Sequence, residues 1–363
     1  MSIKFLHAAD FHLDSPFAGL STEQARQRRR ENRQTLERLS NYVNQNGIQL
    51  ALLAGDLFDG ETVYRETLEA LMAALGSMSA RVFIAPGNHD YYAARSPYAT
   101  FAWPENVHVF KTREIERVEL PELGCAVYGA AFTDAAQEAG LLDGFAAPDD
   151  GLTHLMVLHG DLGAAEARYD PITREQIAAS NLDYLALGHT HAFDGVKRFG
   201  KTACAYAGCL EGRGFDELGE KGFLVGAAER EKVDITFVPF ARRRYWSLSV
   251  DVTDISPVEA LQAAMPATAS SDLCRVSFVG ETDERGVDIK SIEERFAADF
   301  FHLELRDETR IRQDVWAREA EDSLRGLFLR ELRAQYDGAD ETERRRIERA
   351  ARFGLAALDG RDM

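Results

Sequence analysis

The chain has 363 residues, 45% hydrophobic and 28% charged, which describes a globular protein longer than one domain usually needs. Its formal net charge of -18 opposes non-specific adhesion to nucleic acid, where Lys and Arg must displace counterions. The scattered cysteines Cys125, Cys204, Cys209 and Cys274 exclude a zinc ribbon and a disulfide framework. With no secretory signal and no run near the roughly 18 apolar residues of a membrane span, the expectation is a reduced cytoplasmic protein.

In chain order, residues 3–9 read as a buried strand and 22–46 as a polar helix with Leu36, Leu39 and Val43 on one face. Residues 49–54 form a second strand, 61–75 a second helix and 81–85 a third strand. Further strands are expected at 125–131, 154–158 and 183–187, so the layering is α/β. After Gly188, strand-like runs at 202–207, 222–226, 233–240 and 246–252 follow without a long helix, which implies a second sheet packed on the first. This gives a first domain at 1–252. Residues 253–310 alternate helix and strand (257–264, 274–279, 289–298, 301–306) as a small α+β cap domain. Residues 311–363 read as a C-terminal helical segment, with Ile311, Val315, Ala320, Leu324, Leu327, Phe328 and Leu332 near helical spacing. A second helix opens at Asp340, which has capping-box spacing to Glu343.

Ligands gather at the carboxyl ends of strands in open α/β sheets, and five such places here carry Asp, His or Asn. They are Asp10-Phe11-His12, Gly55-Asp56, Gly87-Asn88-His89-Asp90, His159-Gly160 and Gly188-His189-Thr190-His191. Residues two apart in extended backbone point to one side, so Asp10 with His12, and His189 with His191, can each serve one ion. Asp56 has two oxygens with which to bridge a pair of ions, Asn88 offers a neutral amide oxygen, and the adjoining glycines allow tight turns. Asp, His and Asn without thiolate suit two divalent ions such as Mn²⁺, Fe²⁺ or Zn²⁺. A pair of ions roughly 3.5–4 Å apart hydrolyses phosphate esters. His7, His108, His154 and His302 read as ordinary structural histidines.

The five blocks resemble the calcineurin-like metallophosphoesterase superfamily, whose pattern is DxH, GD, GNH[DE], H and GHxH. The likeness spans residues 3–192. It implies a four-layer fold of two β-sheets flanked by helices. It also implies Asp10, His12, Asp56 and His191 around one ion, and Asp56, Asn88, His159 and His189 around the other. His89 would act on the phosphate as transition-state stabiliser or general acid. Residues 6–16, 55–58, 206–208 and 219–223 further resemble the SbcD and YhaO type of DNA repair exonuclease subunit. That likeness implies a DNA substrate, Mn²⁺, an SMC-like ATPase partner of the SbcC kind and a homodimer.

Asp59 stands where related repair nucleases tend to carry a histidine, and an Asp59 to His89 hydrogen bond is expected to favour the imidazolium. Gly60, where Ser/Thr phosphatases carry arginine, argues against protein phosphatase activity. Arg26, Arg28, Arg29, Arg30 and Arg33 crowd the first helix as a solvated face or a phosphate track. Arg242 to Arg244 offer a second track, and Arg213 is placed to approach the site. The tail residues Trp316, Leu324, Leu327, Phe328 and Leu332 either pack on the cap or meet a partner coiled coil. The competing readings are a small-molecule or cyclic-nucleotide phosphodiesterase and a subunit that chiefly anchors an ATPase.

Overall fold

The computed structural model describes residues 2–60, 63–138, 140–163, 168–282, 286–311 and 314–358. Glu61 and Thr62 of the expected second helix, and residues 312, 313 and 359–363 of the C-terminal segment, lie outside the described residues.

Two six-stranded sheets form the first layers. The chain opens with β1 (Ile3–Ala8), α1 (Thr22–Gln45), β2 (Leu50–Leu53), α2 (Arg65–Gly76), β3 (Arg81–Ile84) and β4 (Val107–Val109). It continues through β5 (Glu116–Leu120), β6 (Cys125–Gly129), β7 (Thr153–His159), β8 (Tyr184–Gly188), β9 (Lys197–Phe199) and β10 (Thr202–Tyr206). A hairpin of β11 (Gly222–Glu229) and β12 (Lys232–Pro239) follows. One sheet has the order β12-β11-β1-β2-β3-β4 and the other β9-β10-β8-β7-β6-β5.

The inner faces meet through Phe5, Leu50, Leu52 and Phe83 from the first sheet and Val127, Leu155, Val157 and Tyr184 from the second, all fully buried. The outer face of the first sheet is covered by Leu36, Leu39 and Val43 of α1 with Leu68, Leu71 and Leu75 of α2. Ile177, from the short helix Arg174–Ala179, covers the second. The four layers are therefore helix, sheet, sheet, helix, as the family resemblance implies.

The strands after Gly188 do not make the second sheet by themselves. Only β9 and β10 join it, with β10 parallel to β8, while the β11–β12 hairpin returns to pair antiparallel with β1. The free edge of β1 receives that hairpin from Ile3↔Ala228 to His7↔Leu224. The crossover accounts for the absence of helices in this stretch, since a hairpin needs none.

Two compact units divide the chain: residues 1–248 with 266–275 and 295–304, and residues 249–265 with 276–294 and 305–363. In the second, the tail helix starts at Leu324 rather than near 311, and the Ser323 hydroxyl caps it by accepting from Gly326 N at 3.2 Å. The last helix, Glu341–Leu358, starts where expected, with Asp340 Oδ1 accepting from Glu343 N at 2.9 Å. Trp316, Phe328 and Leu332 pack around buried Leu329 and Ala351, whereas Leu324 is 67% and Leu327 53% exposed. Among the described residues, no helix is long and apolar enough to cross a membrane.

Candidate metal centre and active site

β1, β2 and β3 run parallel, as do β7 and β8, so their carboxyl ends present all five clusters to one region. Asp10 and His12 come together by a different route from the expected extended strand. Both have left-handed backbone (φ 53° and 42°), as do Asp56 (52°) and His189 (109°). The loops after β1 and β2 zip onward in this strained form, with Asp10 N donating to Gly55 O at 3.0 Å and His12 N to Asp56 O at 2.9 Å. Strain gathered at ligand-type residues persists only where the surrounding bonds hold it.

Asp90 supplies much of that hold. Its Oδ1 accepts from Asp56 N and Gly87 N, and its Oδ2 from Leu57 N, Phe58 N and the Tyr98 hydroxyl. Gly87 must be glycine because a Cβ there would lie 2.2 Å from Asp56 Oδ1. Gly188 is as constrained, since its Cβ would meet Ala54 O at 1.8 Å.

Asp10, His12 and His191 place ligand atoms within 4.8 Å of one another, and so do Asp10, Asp56 and His159. His12 Nε2 lies 3.1 Å from His191 Nε2 and 3.7 Å from Asp56 Oδ2. His159 Nε2 lies 2.9 Å from Asn88 Oδ1 and 3.4 Å from Asp56 Oδ2. His189 belongs to neither group; its ring sits 5.2 Å from that of His159 and 5.1 Å from that of Tyr169. His89 is exposed, its ring is edge-on to His12 at 4.9 Å, and its backbone N–H donates to Asp56 Oδ1 at 3.0 Å.

The protonation pattern fits divalent cations. Burial lowers the pKa of His12 to about 3 and those of His159 and His189 to about 4, leaving these imidazoles neutral. His12 Nδ1 donates to Asp59 Oδ1 at 3.0 Å, His159 Nδ1 to Ala54 O at 2.9 Å and His191 Nδ1 to Glu217 Oε1 at 2.7 Å. Each outer bond leaves an Nε2 lone pair facing inward, the orientation a metal requires. Burial and then the neighbouring carboxylate Asp56 push the Asp10 pKa well up, and burial followed by Asp90 takes Asp56 up to about 7. Crowded buried carboxylates with inward nitrogen lone pairs are a donor set suited to cations.

Asp59 differs from expectation. Its Oδ1 accepts from His12 Nδ1 and from Arg213 Nη1, each at 3.0 Å, in place of the expected bond to His89. The buried ring and the guanidinium take the same oxygen. Asp59 still shares a cluster with His12 and His89, with ligand atoms within 4.8 Å. Arg213 does approach the site, gripped by Glu217 Oε1 from Nε at 3.1 Å and Nη2 at 2.7 Å. Glu217, 4% exposed, thus braces His191 and Arg213 together; nothing in its sequence context marks it. Asp90 was visible only as the last letter of the GNHD block.

Both arginine clusters lose members to the interior. Arg28 is fully buried, donating to Glu31 Oε2 at 3.0 Å and to Glu211 Oε2 and Gly212 O at 3.1 Å. Arg243 forks onto Glu31 with bonds of 2.8 and 2.6 Å. Arg242 reaches Gln34, and Arg244 pairs with Glu220. This network anchors the loop that carries Arg213. His7 is structural, bonded to the Tyr184 hydroxyl and Leu187 O.

A family model described as calcineurin-like phosphoesterase matches residues 3–193, a little over half of the chain, and the chain belongs to that family. Residues 3–193 are thus a phosphoesterase domain of the metal-dependent kind. Among curated proteins the chain is 28% identical over 270 residues to one named uncharacterized metallophosphoesterase YhaO, from Bacillus subtilis (strain 168). That alignment covers 71% of this chain and 65% of the relative, so the chain spans about two thirds of the relative's length.

Proposed function

We propose that this phosphoesterase is a Mn²⁺-dependent DNA exo/endonuclease subunit of the cytoplasm, acting in strand-break repair with an SMC-like ATPase and as a homodimer. The observation that carries the hydrolytic part is the inward-facing set of lone pairs and carboxylates around Asp56. Asp10, His12, Asp56 and His191 would hold one ion, and Asp56, Asn88, His159 and His189 the other. When bound, the two ions supply Lewis-acid stabilisation of charge on the phosphoryl group and on the leaving oxygen.

The chain's own residues do the rest. His89 is exposed beside the ligand set and is the acid that delivers a proton to the leaving oxygen. Asp59 holds the His12 tautomer, and Arg213, already oriented by Asp59 and Glu217, presents cationic hydrogen-bond donors to a phosphate oxygen. Division into a catalytic domain (1–252), a cap (253–310) and a partner-binding tail (311–363) accompanies this reading. Exposed Leu324 and Leu327 support partner binding by the tail. A Leu324→Asp/Leu327→Asp variant should lose the ATPase while hydrolysing small esters normally.

The DNA assignment rests on the likeness of the opening and Gly55-Asp56-Leu57-Phe58 segments to repair nuclease subunits. End-labelled DNA and bis(p-nitrophenyl) phosphate, each with Mn²⁺, should both be cleaved by the wild type and neither by His89→Ala. Cleavage of the small ester with intact DNA, with or without the ATPase, would instead leave a small-molecule phosphodiesterase.

A further inference from the structure

α1 has two unlike arginine faces. Arg28 is consumed inside, whereas Arg26, Arg29, Arg30 and Arg33, spaced i, i+3, i+4 and i+7, line one open cleft of about 500 Å³ with the ring of Tyr64. Arg26 and Arg30 are exposed and have no ion-pair partner among the described residues. Tyr64 is 57% exposed. Glu23 and Glu66 also line the cleft, and only Arg33 reaches Glu66, at 3.5 Å. Four arginines against two glutamates make a local positive site on a chain of net charge -18.

The cleft is tied to the catalytic loop. Asp14, two residues beyond His12, accepts from Tyr64 N at 2.9 Å and from the Thr67 hydroxyl at 2.6 Å. Arg33 donates to that same hydroxyl, and Arg29 donates to Pro16 O at 3.2 Å. A polyanion in the cleft would therefore run along the β1–α1 loop that carries His12.

We propose that the α1 arginine face and Tyr64 form an exosite for a nucleic-acid strand, whose phosphates pair with Arg26, Arg30 and Arg33 and whose base stacks on Tyr64. The dimensions agree. Seven residues of helix advance about 10 Å, long enough for the stripe to meet more than one phosphate of a strand. Guanidinium groups fork onto phosphate, and an exposed aromatic ring accepts any base. The inference deepens the nuclease reading and rests on it for the identity of the ligand.

The test is fluorescence anisotropy of a labelled single-stranded oligonucleotide with the full chain in EDTA, across a salt series. Arg26→Ala/Arg30→Ala should lower the magnitude of the slope of log K against log salt by about 1.4, near 0.7 per phosphate contact. Tyr64→Ala should weaken binding roughly tenfold at every salt concentration. Arg230→Ala/Lys232→Ala, which removes equal charge from the exposed β11–β12 turn, should change neither. All variants should hydrolyse bis(p-nitrophenyl) phosphate as the wild type does, which verifies folding. An unaltered slope in the arginine variant, absence of wild-type binding, or equal displacement of the oligonucleotide by polyglutamate would overturn the exosite. DNA cleavage is scored separately: binding through these arginines without cleavage would refute the nuclease reading and leave the exosite standing.

Discussion

The two halves of the candidate metal centre are built by different means. Around His12 and His191 the braces are charged: Asp59 and Glu217 hold the rings, and Arg213 bridges the two carboxylates. Around His159 and His189 they are backbone and packing: Ala54 O orients His159, and Tyr169 and Phe132 stand against the rings. A carboxylate raises the basicity of the imidazole it holds more than a peptide carbonyl does. The first half is therefore open to tuning by side-chain charge, and the second by shape alone.

Variants that break this contrast rank by how many braces they remove. Asp56→Asn strikes both halves and should lower kcat/KM for a small phosphodiester by about 10³-fold, or roughly 4 kcal/mol of barrier. Gly188→Ala attacks the packed half, because the new methyl would lie 1.8 Å from the carbonyl that orients His159. Overpacking of this kind costs about 1–3 kcal/mol, and should appear as a lower melting temperature together with lost activity. Glu217→Gln should reduce activity or metal affinity by about 10–100-fold and leave the packed half's bonds in place. Tyr169→Ala, which removes one aromatic contact worth about 0.5–1.5 kcal/mol, should cost least, and equal losses from Tyr169→Ala and Glu217→Gln would erase the contrast.

The charged half also predicts an acid limb. Burial would raise the Glu217 carboxyl, but its bonds to His191 and Arg213 hold it well below the usual carboxylate range. A carboxylate depressed on folding contributes stability above its unfolded pKa of about 4.3 and loses it as pH falls further. Wild type should thus lose more stability than Glu217→Gln as pH drops below about 4.5, measured by denaturant melts of the metal-free protein. Parallel curves would show that Glu217 is not ionically held.

Legibility in the sequence follows the same divide. Ligand-type residues at strand ends were readable because Asp10, Asp56, Asn88, His159 and His189 each follow or end an apolar run on parallel strands. The left-handed backbone at Asp10 and His12 was not, since no glycine marks it. Glu217 and the inward turn of Arg28 and Arg243 depend on partners up to 212 residues away, which no local pattern carries. The strand Glu116–Leu120 has no apolar signature because its ERVEL sequence is charged, as befits the edge of a sheet. The tail helix is shorter than its apolar spacing implies, because that spacing runs on through residues 314–323, which form turns and bends before Ser323 caps the helix.

The central claim, that five strand-end clusters assemble one two-ion hydrolytic site, is tested most directly by titrating metal-free protein with Mn²⁺ while following bis(p-nitrophenyl) phosphate hydrolysis. Two ions per chain, a rate that saturates with the second, and a His89→Ala protein that binds both ions yet turns over little is the predicted result. A single bound ion at full activity, or undiminished hydrolysis in excess chelator, would contradict it.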